Sequence, residues 1–278
     1  MKKQLLLILT ISFFVNLGVH AQKKQSKYRT VENISYRTDN RGDKYIDSLC
    51  RLDLYYPEGK KGYPTVIWFH GGSLTGGKRS IPEALKNKGF AIVGVDYRLT
   101  PHVKVSDCID DAAAAAAWVV NNIDNYGGDK SSVFVAGHSA GGYLTYMIGL
   151  DKRWMKRYGM DPDSVFRALI PYSGQVVTHF ARRKELGVPS TCVMVDDMAP
   201  LNHTRNDCPP ILMMTGDREL EMLGRYEENA YFWRMMKVAG HPDVTFREFD
   251  GFKHGNMTQA GHFLTVRFIK DILKKNEK

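Results

Sequence analysis

Residues 137–142 read Gly-His-Ser-Ala-Gly-Gly and constrain the fold more than any other stretch of the chain. They follow the apolar run 133–136, which suits a strand, and precede residues 143–147, which suit a helix. A serine on a strand-to-helix turn adopts a strained backbone that raises its hydroxyl above the sheet edge. Glycines two positions before and after it are needed because side chains there would collide with the tight turn. The stretch therefore predicts a nucleophilic Ser139 at a sheet edge.

Short apolar runs alternate with helix candidates along the whole chain. Segments 31–36 and 49–56 alternate in polarity like an antiparallel pair at a sheet edge. Six further runs are apolar enough to be buried on both faces: 65–70, 90–97, 133–138, 167–172, 211–215 and 244–249. The helix candidates between them are 82–88, 106–123, 139–150, 225–239 and 259–274. This order predicts an α/β fold with a doubly wound, mostly parallel, eight-stranded sheet.

The first 21 residues are expected to be a signal peptide. Lys2 and Lys3 precede an apolar run, and Val19-His20-Ala21 offers small residues at the two positions that a signal peptidase reads. An uncleaved membrane anchor is the alternative, but the apolar core is short for a spanning helix. We therefore expect an exported protein, periplasmic or secreted, without stable membrane insertion after cleavage. Residues 22–278 would form one domain, in which the irregular stretch 175–200 is an insertion over the active site.

Charge and cysteine content give little support to other classes of function. The formal net charge is +9, but the basic residues are scattered except in the C-terminal tail, so nucleic-acid binding is not expected. The four cysteines, at positions 50, 108, 192 and 208, do not have the spacing of metal ligands. An exported protein can form disulfides, although one sequence does not reveal which cysteines pair. No metal or organic cofactor is expected.

A serine hydroxyl is a weak nucleophile unless a base takes its proton, so a histidine must approach Ser139. His254 is the candidate among nine histidines because it follows the last predicted strand and precedes the last helix. A loop at that place reaches over the sheet edge towards the nucleophile. His254 is therefore the predicted general base.

The imidazole of the base needs a carboxylate that holds its tautomer and stabilises the imidazolium. Asp217 follows the strand 211–215, which gives the chain order Ser, Asp, His. Glu219 and Glu221 share the same loop and remain alternatives. Asp250 precedes the histidine loop and is interpreted as a turn residue. Asp217 is the predicted acid.

An ester or amide hydrolase also needs donors for the oxyanion that forms at the carbonyl. His70-Gly71-Gly72-Ser73 ends the strand 65–70, and glycines there let backbone N–H groups approach a substrate oxygen. Gly71, Gly72 and the N–H of Ala140 are the predicted oxyanion donors.

Six short motifs together resemble the α/β-hydrolase esterases of the hormone-sensitive-lipase-like type, and among these the bacterial feruloyl and acetyl-xylan esterase group. They are 70–72, 96–98, 127–129, 137–142, 215–217 and 252–255. The resemblance covers about 28–272 and implies the triad and oxyanion hole described above. It implies that Asp96 and Asp129 are scaffold residues. The chain departs from many relatives at Ser73, where they carry a third glycine.

The expected function is that of an exported serine carboxylesterase acting on short-acyl or aromatic-acyl esters. The resemblance extends this to acetyl or feruloyl groups on plant polysaccharides. One alternative is an arylformamidase or amidase that uses the same triad. Another, from a different class, is a catalytically silent binding domain on the same fold, which would lack a triad member.

Overall fold

The computed structural model describes residues 27–38 and 42–275. The segment 1–21, predicted to be a signal peptide, lies outside them. The strands are β1 (Tyr28–Ser35), β2 (Arg51–Pro57), β3 (Tyr63–Phe69), β4 (Ala91–Val95), β5 (Gly128–His138), β6 (Phe166–Tyr172), β7 (Ile211–Gly216) and β8 (Val244–Phe249). The helices are α1 (Lys44–Leu49), α2 (Val105–Asn122), α3 (Ala140–Leu150), α4 (Lys152–Lys156), α5 (Pro162–Val165), α6 (Phe180–Glu185), α7 (Arg225–Val238) and α8 (Met257–Lys275).

All eight strands form one sheet in the order β1-β2-β4-β3-β5-β6-β7-β8. The pairs β1–β2 and β2–β4 are antiparallel, and every other pair is parallel. Burial explains this arrangement, because β4 and β7 are buried at every position whereas β1 at the edge is not. The predicted doubly wound, mostly parallel sheet of eight strands is confirmed.

Helices cover both faces of the sheet. On one face, α2 and α3 pack against β5, and all six alanines of Ala112–Ala117 in α2 are buried. Small side chains allow a helix to lie close to a sheet. On the other face, α8 packs against β6 and β7 and buries Ile269 and Ile272. The candidate helix 82–88 is only a single 3₁₀ turn at Glu83–Leu85.

The segment 175–200 lies between β6 and β7 and contains α6. The buried side chain of Arg183 links distant parts of this segment. Its guanidinium donates to the carbonyls of Thr178 and Cys192, each at 2.9 Å, and to that of Ser190. Distant parts of the segment are therefore held together by hydrogen bonds from a charged group, which are among the stronger ones.

The state of the cysteines and the character of the helices complete the description of the fold. All four cysteines, at positions 50, 108, 192 and 208, are free thiols. No helix within 27–38 or 42–275 is long and apolar enough to cross a membrane.

Candidate active site

Ser139 lies on the turn between β5 and α3, with φ 56° and ψ −114°. This left-handed backbone is rare for a residue with a side chain. A Cβ added at Gly137 would come within 2.5 Å of the Gly141 carbonyl oxygen, and one at Gly141 would overlap the carbonyl of Phe69. Both flanking glycines are therefore required for the turn to pack against β3. The structure places Ser139 where the sequence predicts it.

The glycine loop after β3 lies directly against this turn. A Cβ at Gly71 would be 3.3 Å from the Cβ of Ser139, and one at Gly72, where φ is +120°, would overlap the carbonyl oxygen of Gly76. Within the described residues, the backbone N–H groups of Gly72 and Ala140 donate to no protein acceptor. Unpaired N–H groups beside a nucleophile are available to an oxyanion.

The base lies in the loop between β8 and α8. His254 Nδ1 is 2.5 Å from Oε1 of Glu221, whose side chain is completely buried. Burial favours the neutral form of this carboxyl. Its hydrogen bond to His254, the charge of His254 and the N–H of Met222 outweigh that effect and lower the pKa of Glu221 to about 2. An ionised glutamate thus holds Nδ1 protonated and leaves Nε2 as the proton acceptor.

Asp217 is not the partner of His254, so its predicted role as the orienting acid is wrong. Its carboxylate accepts from the backbone N–H of Gly251 at 2.7 Å and from that of Glu219 at 2.8 Å. These bonds lower the pKa of Asp217 and join its loop to the loop that carries His254. The turn explains the error, because the Glu221 N–H donates to the Asp217 carbonyl at 2.8 Å and the chain folds back. This turn brings Glu221, one of the two alternatives, to the histidine.

Ser173 joins the acid and the base, and sequence reasoning missed it. This fully buried residue follows β6 with φ 47°. Its Oγ donates to Glu221 Oε2 at 2.8 Å and lies 3.0 Å from His254 Nδ1. A left-handed backbone at a buried serine stores strain, which is typical of functional sites. The only sequence signal was the pair Ser173-Gly174 at the end of an apolar strand.

His138, beside the nucleophile, supports the base from the other side. Its Nε2 is 2.8 Å from the backbone oxygen of His254, and the two rings lie 4.7 Å apart. Burial and the neighbouring charge of His254 lower the pKa of His138 to about 4. A neutral ring must donate through Nε2 here, because a carbonyl oxygen only accepts.

The described residues show no hydrogen bond between Ser139 and His254, and such contacts often tighten only when substrate binds.

The oxyanion loop is also anchored from behind. His70 stacks on Tyr97 with 4.4 Å between ring centroids, and its Nε2 is 3.5 Å from Oδ1 of Asp96. Asp96 in turn accepts from the side chain and the backbone of Arg79. Asp96 therefore fixes the loop from outside the reacting centre. No cluster of three or more candidate metal ligands occurs within the described ranges.

Comparison with solved structures identifies the architecture. A truncated carbohydrate esterase from gut microbiota superposes with a TM-score of 0.71 at 19% identity, over 90% of this chain and 98% of that one. A hyperthermophilic esterase from the archaeon Pyrobaculum calidifontis gives a TM-score of 0.62 at 24% identity, over 81% of each chain. This chain has the α/β-hydrolase fold. Ser139 lies on the strand-to-helix turn between β5 and α3, which is where this fold carries a nucleophile.

Sequence comparison relates the hydrolase fold of this chain to ester hydrolases. A family model described as BD-FAE matches residues 52–168, which is less than half of the chain. Esterase LipC of Mycobacterium tuberculosis is 25% identical over 222 residues, covering 70% of this chain and 53% of LipC. A probable isoprenylcysteine alpha-carbonyl methylesterase of Oryza sativa subsp. japonica is 34% identical over 99 residues, covering 34% of this chain and 23% of the methylesterase. The chain thus spans about half the length, or less, of these relatives.

Proposed function

We propose that the protein is a serine carboxylesterase with Ser139 as nucleophile, His254 as general base and Glu221 as the acid. The observation that carries the proposal is the hydrogen-bonded pair His254–Glu221 in the loops beside a strained serine turn. The similarity to esterases supports ester bonds as the target. The free N–H groups of Gly72 and Ala140, with Gly71, complete the set of groups that acyl transfer requires.

The reaction follows from this arrangement. His254 Nε2 takes the proton of Ser139 as Oγ attacks the ester carbonyl, and the oxyanion accepts hydrogen bonds from the loop N–H groups. The imidazolium formed is stabilised by the ionised Glu221 and returns its proton to the leaving alcohol, which breaks the ester C–O bond. Water then attacks the acyl-enzyme as His254 takes one of its protons, and the imidazolium returns this proton to Ser139 Oγ as the acyl C–O bond breaks and the acid product leaves.

The proposed substrates are short-acyl or aromatic-acyl esters, including acetyl or feruloyl groups on polysaccharides. The carbohydrate esterase among the structural neighbours and the BD-FAE match support this choice. The segment 175–200 supports it too, because hydrogen bonds to the rest of the protein oppose the opening movement of a lipase lid: Glu185 accepts from the N–H of Val105 at 2.6 Å, and the carbonyl of Met198 accepts from the hydroxyl of Tyr143 at 2.8 Å. Export of the protein is part of the proposal and rests on residues 1–21.

The test is Ser139→Ala, assayed beside the wild type on p-nitrophenyl acetate, methyl ferulate, acetylated xylan and formylkynurenine. We expect the wild type to cleave esters, and the variant to lose about 10⁴-fold in kcat with little change in KM. A diethyl phosphate ester should label Ser139 alone, as peptide mass analysis would show. A variant that retains a tenth of wild-type turnover would exclude the serine mechanism, and preference for formylkynurenine would favour the amidase alternative.

A further inference from the structure

Two neighbouring cavities form a groove that begins at the oxyanion loop. The larger has a volume of about 770 Å³ and the smaller about 340 Å³, and both are lined by Thr75, Ala181 and Lys184. The smaller also touches Ser73, the residue after Gly72. The groove therefore runs from beside the oxyanion donors, past α6, to the start of α2.

The wall formed by residues 100–107 is joined to the oxyanion loop. The carbonyl of Leu74 accepts from the backbone N–H of Thr100 at 2.8 Å and from its hydroxyl at 3.1 Å. These two hydrogen bonds fix the position of the wall relative to the oxyanion loop. A substrate whose carbonyl lies at Ser139 has room to extend its distal part along this groove.

The two acids that line the groove are already engaged. Glu185 Oε1 accepts from the N–H of Val105 at 2.6 Å, and its other oxygen pairs with Arg182 at 3.1 Å. Asp107 accepts from the backbone N–H of Lys104 at 3.0 Å and lies 3.9 Å from Arg98. Both carboxylates therefore already have hydrogen-bond donors within the protein.

The lysines of the groove differ from these acids in this respect. Within the described part of the chain, the ammonium groups of Lys104 and Lys184 form no ion pair and no hydrogen bond. The exposed His102 also lines the larger cavity and adds a further polar group. The charge available to a ligand is therefore positive, which favours an anion.

We propose that this groove binds a carboxylate carried by the distal part of the ester substrate. A uronic acid residue of a glycan has this chemistry on the alcohol side, and a dicarboxylic half-ester has it on the acyl side. The inference deepens the proposed function, on which it rests, by naming an acidic ester as the preferred substrate class.

Two matched pairs of substrates test whether the recognised carboxylate belongs to the alcohol part or to the acyl part of the ester. Acetylated glucuronic acid and acetylated glucose differ only in the alcohol part, by a carboxylate in place of a hydroxymethyl group. The p-nitrophenyl half-ester of glutaric acid and p-nitrophenyl valerate differ in the acyl part. We expect a higher kcat/KM for the anionic member in at least one pair, by about threefold to tenfold, and a smaller preference at high salt.

The double variant Lys104→Gln/Lys184→Gln should remove this preference and leave the neutral members within about twofold. The control is Lys88→Gln/Lys130→Gln, which removes two exposed lysines outside the groove. The inference is overturned if neither anionic member is preferred, if the double variant loses equally on both members, or if the control also removes the preference.

A binding measurement keeps this test separate from the proposed function. Calorimetry of trigalacturonate with the Ser139→Ala protein should show binding that the additional Lys104→Gln/Lys184→Gln changes abolish. A protein that cleaves no ester but shows this lysine-dependent binding contradicts the proposed function and supports the groove. If the protein cleaves neutral esters but neither binds trigalacturonate nor prefers either anionic substrate, the proposal of an anion-binding groove is wrong and the proposed esterase function stands.

Discussion

Glu221 Oε1 lies 2.5 Å from His254 Nδ1, and the residues that make this contact are 33 positions apart on loops after β7 and β8. Neighbouring parallel strands carry their loops to the same edge of the sheet, which brings the acid to the base. The carboxylate of Glu221 also accepts three further hydrogen bonds, from the hydroxyl of Ser173 and from the backbone N–H groups of Gly216 and Met222. A buried carboxylate with this set of donors remains ionised and fixed in place.

The first prediction separates the two carboxylates. Glu221→Gln should lower kcat by about 10³-fold to 10⁴-fold, because an amide holds the wrong histidine tautomer. Asp217→Asn should lower it by less than about tenfold, because the Asp217 carboxylate is hydrogen-bonded to Glu219, Gly251 and Asp250 in the two loops, whereas the acid that contacts His254 is Glu221. Steady-state kinetics on p-nitrophenyl acetate checks both, and Glu219→Gln is the matched control. Greater damage from Asp217→Asn than from Glu221→Gln would reject our assignment.

The second prediction concerns Ser173. Ser173→Ala removes a hydrogen bond to an ionised buried group, so we expect kcat to fall about tenfold or more, with the acid limb of the pH–rate profile displaced. Ser173→Gly removes the same hydroxyl and relieves the positive φ. If Ser173→Gly is active and Ser173→Ala is not, the loss of activity in Ser173→Ala comes from backbone strain and not from the missing hydroxyl. Combined with Glu221→Gln, the serine change should cost little more, because the two groups act together.

The third prediction is that acid destabilises the fold through buried histidines. Burial lowers the pKa of His262 to about 4, and its Nδ1 lies 3.2 Å from the hydroxyl of Tyr172. The unfolded chain takes up this proton near the ordinary pKa of about 6.5. Stability is therefore full above that pH and is lost as the pH falls from about 6.5 towards 4.

Urea unfolding at pH 7 and pH 5 measures this effect. His262→Gln should reduce the loss between the two pH values by about 2 kcal/mol, whereas His102→Gln, at an exposed histidine, should not change it. An unchanged pH dependence in His262→Gln would show that the proton is taken up elsewhere, with His138 and His179 the next candidates because burial also lowers their pKa values.

The fourth prediction concerns the size of the acyl group. Leu186, Val193 and Val195 are the exposed large apolar residues of the segment 175–200, and none of them lines the groove. Long acyl chains need a large dry contact. We expect kcat/KM to fall steeply beyond butyrate along the p-nitrophenyl series, without activation by emulsified triglyceride. Faster cleavage of laurate than of acetate would place the protein among the lipases.

Most of the architecture was predictable because strand burial and the serine turn are local patterns. The runs that become β3, β4, β6 and β7 are mostly apolar, and this pattern admits few arrangements other than a covered parallel sheet. The run 244–249, expected to be buried on both faces, is an exception, because β8 lies at the edge of the sheet and none of its residues is fully buried. The choice of acid was not predictable in the same way. Three carboxylates lie within five residues of one another on one loop, and the turn at Asp217 decides which of them faces the base.

The sequence by itself determined the eight strands, the four longest helices, their order along the chain and two residues of the candidate triad, because each depends on neighbours within a few positions. Tertiary structure alone decided that Glu221 contacts His254, that Ser173 joins them and that His138 holds the histidine loop. These contacts join β5, β6, β7 and β8 at one sheet edge. Their geometry depends on how strands pack and loops turn, which involves residues up to 116 positions apart. A hydrogen bond needs atoms placed to within a few tenths of an ångström, and sequence spacing carries no such information.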